Sequence, residues 1–170
     1  MTVELAALRP EDSPVLFEWI NDHDLVVLNA PFRPVSQAEH DAWFARVQER
    51  ENGRIFAIRE DDRLVGTCQL HSIHPVHRSA ELQIRIGAAG ARGRGVGTEA
   101  LRQLLEHGFE QLHLHRIHLY VLADNERALR AYRRVGFREE GVLRDGACID
   151  GRWVDLILMA VLDHEWTGRR

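Results

Sequence analysis

The chain has 170 residues and no lysine, so every one of its 22 basic residues is an arginine. A Walker-type phosphate loop, which needs a Lys-Ser/Thr pair after its last glycine, is thereby excluded. Cysteine is scarce: Cys68 and Cys148 lie far apart in strand-like segments and read as two buried thiols. No apolar run approaches the length of a membrane span, and no basic-apolar leader opens the chain. A cytoplasmic protein with no membrane partner is expected. Repeats, low-complexity tracts and linkers are also lacking. With 45% apolar residues, residues 1–170 are expected to form one domain with a substantial core.

Charge is unevenly divided. Residues 1–62 hold 13 acids and 6 arginines, whereas residues 63–170 hold 13 acids and 16 arginines. The basic part suits an anionic ligand, and the acidic part would face a cationic partner. The net charge of −4 has the wrong sign for a nucleic-acid binder, and the single Arg-Gly-Arg-Gly piece is too short for an RGG segment.

That piece belongs to the most informative stretch, Gly90-Ala-Arg-Gly-Arg-Gly-Val-Gly-Thr98. It follows an alternating, strand-like run, Glu81 to Ile86, and precedes an amphipathic run from Val96 to Leu112. Glycines let backbone N–H groups turn inward, and a helix N-terminus favours negative charge, so this turn is built to hold phosphate. Gly93, Gly95 and Gly97 are spaced Gly-x-Gly-x-Gly, which does not fit the dinucleotide fingerprint Gly-x-Gly-x-x-Gly. A second stretch lies about thirty residues on. His115 to Val121 alternates as a strand. Asn125, Ala128 and Tyr132 then share one helix face at i, i+3 and i+7, and Gly136-Phe137 ends the helix.

Arg92-x-x-Gly95-x-Gly97 resembles the pyrophosphate loop of the GNAT superfamily of N-acetyltransferases. Asn125-x-x-Ala128-x-x-x-Tyr132-x-x-x-Gly136-Phe137 resembles its second signature. The runs Arg78 to Ile84 and Asp150 to Asp155 are similar to the branch holding ribosomal-protein N-terminal and spermidine acetyltransferases, together with amino-sugar and some antibiotic acetyltransferases. The resemblance implies an α/β GNAT fold, with a mixed, mostly antiparallel sheet flanked by helices.

The element pattern agrees. Thr2 to Leu8 reads as a strand, and a helix opens at Asp12 or Ser13, with Val15, Leu16, Trp19 and Ile20 inward. Residues 22–35 lack periodicity. Ser36 and Glu39 form a capping box for a helix carrying Ala42, Trp43, Phe44 and Val47. Residues 55–59 and 64–71 read as a hairpin around residues 60–63, and residues 80–86 as the next strand. Leu101, Leu104, Leu105 and Phe109 form the apolar stripe of the helix after the glycine loop. Two last strands, 137–147 and 153–162, flank the turn signal Asp150-Gly151.

The resemblance implies direct attack of a primary amine on the thioester of acetyl-CoA. The amine would belong to a protein N-terminus, a polyamine or another small molecule. Pyrophosphate binding would fall to backbone amides of Arg92, Gly93, Arg94, Gly95, Val96 and Gly97, with the Thr98 hydroxyl and the two arginines assisting. Ile84, Arg85 and Ile86 would pair with the pantetheine arm through their backbone, and Asn125 and Ala128 would meet its other side. Arg127, Arg130 or Arg134 would meet the 3′-phosphate. Tyr132 is the candidate general acid, since a phenol is protonated at neutral pH. Glu81 is the candidate base, or else an ion-pair partner of Arg85 or another arginine. Trp19, Asn21, Trp43 and His71 are further acceptor-side candidates, with core packing the alternative for the two tryptophans. A homodimer is compatible with this reading. The ten histidines include the groups His71/His74/His77 and His113/His115/His118, whose spacing matches zinc sites poorly, so no metal is expected. The reading of another class is a CoA-binding sensor that has lost catalysis.

Overall fold

The computed structural model describes residues 2–168. Its elements are β1 (Val3–Ala6), α1 (Ser13–Ile20), α2 (His23–Val26), α3 (Gln37–Val47), β2 (Arg54–Glu60), β3 (Arg63–His74), β4 (Ser79–Ile86), α4 (Val96–Glu106), β5 (Arg116–Leu122), α5 (Glu126–Arg134), β6 (Arg138–Ile149) and β7 (Arg152–Leu162). The strands form one sheet in the order β1-β2-β3-β4-β5-β7-β6. All neighbours are antiparallel except β4 and β5. The expected mixed, mostly antiparallel sheet flanked by helices is thus found.

Strand alternation divides the core. On β2, Phe56 and Ile58 point to one face and Ile55 and Ala57 to the other. The first face packs on the stripe Leu101, Leu104, Leu105 and Phe109, all buried, and on Leu129 and Tyr132 of α5. The second face packs under α1 and α3, against Leu16, Val47, Trp19, Trp43 and Phe44. The Ser36–Glu39 capping box forms as its sequence demands, with Glu39 N–H donating to Ser36 Oγ at 3.2 Å and Ser36 N–H to Glu39 at 2.9 Å. Residues on both hairpin turns, Asp61/Asp62 and Asp150/Gly151, adopt positive φ.

Four local expectations need correction. The stretch without periodicity holds the single-turn helix α2, capped by the Asp22 carboxylate accepting from Leu25 N–H at 3.2 Å; four residues are too few to show a period. Ala42 faces solvent, and the inward position is taken by His40, whose ring is bonded to Ser13 and set among Phe17, Trp43 and Phe44. Helix α4 does not continue evenly to Leu112 but widens into a π-turn at His107–Gln111. Of the two thiols only Cys68 is fully buried, and burial pushes its pKa up; Cys148 is half-buried, next to buried Ile149 at the end of the otherwise exposed β6.

Candidate active site

The one parallel pair defines the site. β4 and β5 are paired only at Ser79–Arg116, Ala80–Ile117 and Glu81–His118. Beyond Glu81 the strands part, β4 keeping only its β3 partner and β5 only β7. The side of β4 facing the gap therefore has no strand partner from Gln83 to Ile86. A cleft of about 440 Å³ occupies this gap, lined by Ile84, Arg85 and Ile86, by the glycine loop, and by Asn125, Ala128 and Tyr132 of the α5 region. Leu25, Leu28 and Asn29, from α2 and the turn after it, close its other side.

The glycine loop enters α4 through Gly93 at φ +76° and Gly95 at φ +88°, both in the left-handed region. A Cβ at either position would meet only open space. Gly95 is the N-cap of α4 and makes no side-chain bond, so the first amides of the helix, from Val96 to Thr98, lack an intrahelical acceptor. Val96 itself is an anchor, with its side chain wholly in the core. An open glycine turn, free helix amides and a helix dipole fit an anionic diphosphate.

The arginines divide by task. Arg92 folds back, its Nε donating to the Ile86 carbonyl at 3.0 Å and its NH2 to that of Gly87 at 2.8 Å. Arg94 is held by Glu60 at 2.9 Å and donates to the Gly90 carbonyl. Neither guanidinium is a simply solvated charge, and both brace the loop. Arg92 also borders the cleft, together with Arg85, Arg127, Arg130 and Arg134. The Nε of Arg85 is buried without a hydrogen-bond partner among the described residues, and burial lowers the arginine's pKa. A half-buried guanidinium whose Nε is unpartnered adds to the fit for an anionic ligand.

Asn125 caps α5, its Oδ1 accepting from Ala128 N–H at 3.2 Å while its Nδ2 donates to the Leu28 carbonyl at 2.9 Å. It joins the two walls of the cleft. Tyr132 is buried, edge-on to Phe137, and desolvation pushes its pKa up to about 12.

Residues 2–138 match the family model described as acetyltransferase (GNAT) domain. The chain belongs to the GNAT family. It is 35% identical over 119 residues to a putative ribosomal N-acetyltransferase of Bacillus subtilis, covering 70% of this chain and 64% of that one. It is 34% identical over 116 residues to the spermidine N(1)-acetyltransferase of Escherichia coli, covering 68% and 62%. The aligned part thus spans just under two thirds of these two relatives. The structure of a spermidine N-acetyltransferase from Vibrio cholerae in complex with CoA and spermine superposes with a TM-score of 0.86, at 29% identity and 96% coverage of both chains.

Within this GNAT frame, Glu81 stands apart from the residues lining the cleft. It sits where the strands begin to part, opposite His71 on β3 and His118 on β5. The arginine ion pair anticipated as its alternative is not formed; its titratable neighbour is the His71 ring, with Nε2 at 3.8 Å. The two histidines come from different groups in the sequence, and only strand register joins them. Among the described residues no group of three His, Cys, Asp or Glu is arranged to hold a metal. Trp19 packs over Gly87, where a Cβ would fall inside its indole. Asn21 pins the chain at Val35 through bonds to its N–H and carbonyl, and Trp43 packs with Phe44. The bracing role of Arg92 had no sequence signal, because a loop arginine reads the same whether it binds a ligand or a carbonyl.

Proposed function

We propose that the chain is an acetyl-CoA-dependent N-acetyltransferase acting on a primary amine of a polyamine, a protein N-terminus or a similar small molecule. The observation that carries this reading is the parting of β4 from β5 over an open glycine turn and free helix amides. Family membership and the named substrates of the relatives support it.

In this reading the amides from Gly93 to Thr98 hold the diphosphate, and Arg92 and Arg94 keep the loop in shape. The unpaired edge at Ile84, Arg85 and Ile86 accepts the pantetheine arm as a strand-like partner. Asn125 and Ala128 form the opposite wall, and Arg127, Arg130 or Arg134 meets the 3′-phosphate. Glu81 takes a proton from the ammonium, freeing the nitrogen lone pair to attack the thioester carbonyl. Tyr132, protonated at every working pH, donates toward the departing sulfur. We read residues 1–170 as one acetyltransferase domain, since a single sheet runs from β1 to β6. Two unpaired cysteines suit a reducing, cytoplasmic setting.

A thermal-shift series tests the cofactor reading. Acetyl-CoA raises the melting temperature, because a ligand bound only by the folded state stabilises it, and dephospho-CoA raises it less. No shift at millimolar acetyl-CoA overturns the reading. A thiol-release assay with spermidine, alanine-initiated peptides, amino sugars and aminoglycosides identifies the acceptor.

A further inference from the structure

His71 stands beside Glu81 in the β3–β4 pairing, and the two side chains are exposed to a similar, small extent. The His71 Nε2 faces the Glu81 carboxylate at 3.8 Å, a little beyond hydrogen-bond reach, and has no other partner among the described residues. Its Nδ1 is 3.0 Å from Ser72 Oγ. Ser72 is held there by an irregularity: the β3–β4 register shifts between His71 and His74, and Ser72 adopts φ +52°. Bulges of this kind re-aim side chains near sites. A polar recess lined by Arg50, Asn52, Gln69, Ser72 and Gln83 opens in front of the ring. On the opposite side of Glu81 stands His118, whose Nδ1 is buried without a partner. Burial, the largest influence, lowers its pKa, with Arg116 and His71 acting the same way and Glu81 and Glu140 opposing. Glu81 is thus flanked by two histidines, of which His71 is the one that borders the polar recess.

We propose that His71 is the proton outlet of Glu81, carrying the acceptor's proton through its ring to Ser72 and the recess. This rests on the reading of Glu81 as the base. The resting ring carries its proton on Nδ1, donated to Ser72 Oγ, and presents a bare Nε2 to Glu81. When the ammonium N–H bond breaks, its electron pair stays on nitrogen and the proton goes to the Glu81 carboxylate. Glu81 then passes that proton to Nε2, and the imidazolium releases the Nδ1 proton to solvent by way of Ser72. A half-turn of the ring, or proton return from solvent, restores the starting tautomer. His71 is a positioning and relay residue and touches no reacting atom. The charged and titratable groups around it are Arg50, Glu81 and His118.

The test is steady-state acetyl transfer to spermidine, or to whichever panel amine turns over, in dilute and concentrated imidazole buffer between pH 6 and 9. Wild type is expected to be insensitive to buffer concentration. His71→Gln is expected to lower kcat about tenfold with acceptor KM unchanged, and concentrated imidazole to restore it, since a small carrier replaces the missing ring. Ser72→Ala, which leaves the ring in place, shows a smaller loss in the same direction. Full kcat in His71→Gln, or a loss that imidazole does not relieve, overturns the proposal. If Glu81→Gln retains full turnover, or if wild type acetylates no panel amine, the underlying reading of Glu81 fails and the outlet fails with it.

Discussion

Arg92 holds the end of the strand it follows: its guanidinium spans the carbonyls of Ile86 and Gly87 at 3.0 and 2.8 Å. These are the last residues of the cleft edge before the glycine loop, so the arginine couples the two surfaces proposed to hold the cofactor. Arg92→Ala is expected to weaken CoA binding about tenfold or more in calorimetry by leaving two part-buried carbonyls unpaired. Arg92→Lys is expected to recover little, because one ammonium cannot reproduce the planar fork. A lysine variant with full affinity would reduce the role of Arg92 to charge alone.

Gly95 combines a left-handed backbone with open space beside it. Gly95→Asp strains that backbone and adds negative charge where phosphate is to approach. CoA affinity is expected to fall at least a hundredfold, with the far-UV spectrum unchanged. Gly97 has an ordinary φ, and a Cβ there would touch only the Ile86 side chain at 3.6 Å. Gly97→Ala is therefore expected to be much milder, and equal losses at both glycines would contradict the role of backbone shape.

Gly87 has a structural reason to be glycine, because the Trp19 indole occupies the space of its missing side chain. Gly87→Ala is expected to destabilise the fold by about 1–3 kcal/mol, the usual cost of overpacking. Trp19→Ala in the same background should relieve that clash, and a urea double-mutant cycle measures the coupling. Additive costs would show that the ring simply swings away.

Tyr132→Phe removes the hydroxyl and keeps the packed ring. Turnover is expected to fall by about a hundredfold or less, with CoA affinity unchanged. A stability signature accompanies this. Burial raises the folded-state pKa to about 12, against about 10 in an unfolded chain. The contribution of the protonated ring is fully present below pH 10 and is lost as pH rises toward 12, because the unfolded chain ionises first. Tyr132→Phe should therefore lose less stability than wild type over that interval in thermal melts. Parallel melting curves would show that the hydroxyl is not desolvated.

The sheet and long helices were legible because each carries its own period: Leu101, Leu104, Leu105 and Phe109 mark a buried stripe whatever lies above them. The glycine turn was legible for a similar reason, since left-handed backbone leaves few residue choices. Glu81 was found by its strand face, yet its neighbours were not. His71 and His118 meet it through the register of three strands, and register is a tertiary fact written in no local pattern. Asn125 shows a related gap. Its place at a helix start was readable, but its bond to Leu28, across 97 positions of sequence, was not.

The parallel joint of β4 and β5 is only three residue pairs long. The sheet is therefore two antiparallel blocks, β1 to β4 and β5 with β7 and β6, hinged along a short seam and backed by α4. Opening the gap breaks no further strand pairing, because the gap is where pairing has already stopped. The cleft is a product of connectivity, not of carved side chains. Its walls can then exchange residues freely, and the shape would survive changes that alter which molecule it takes.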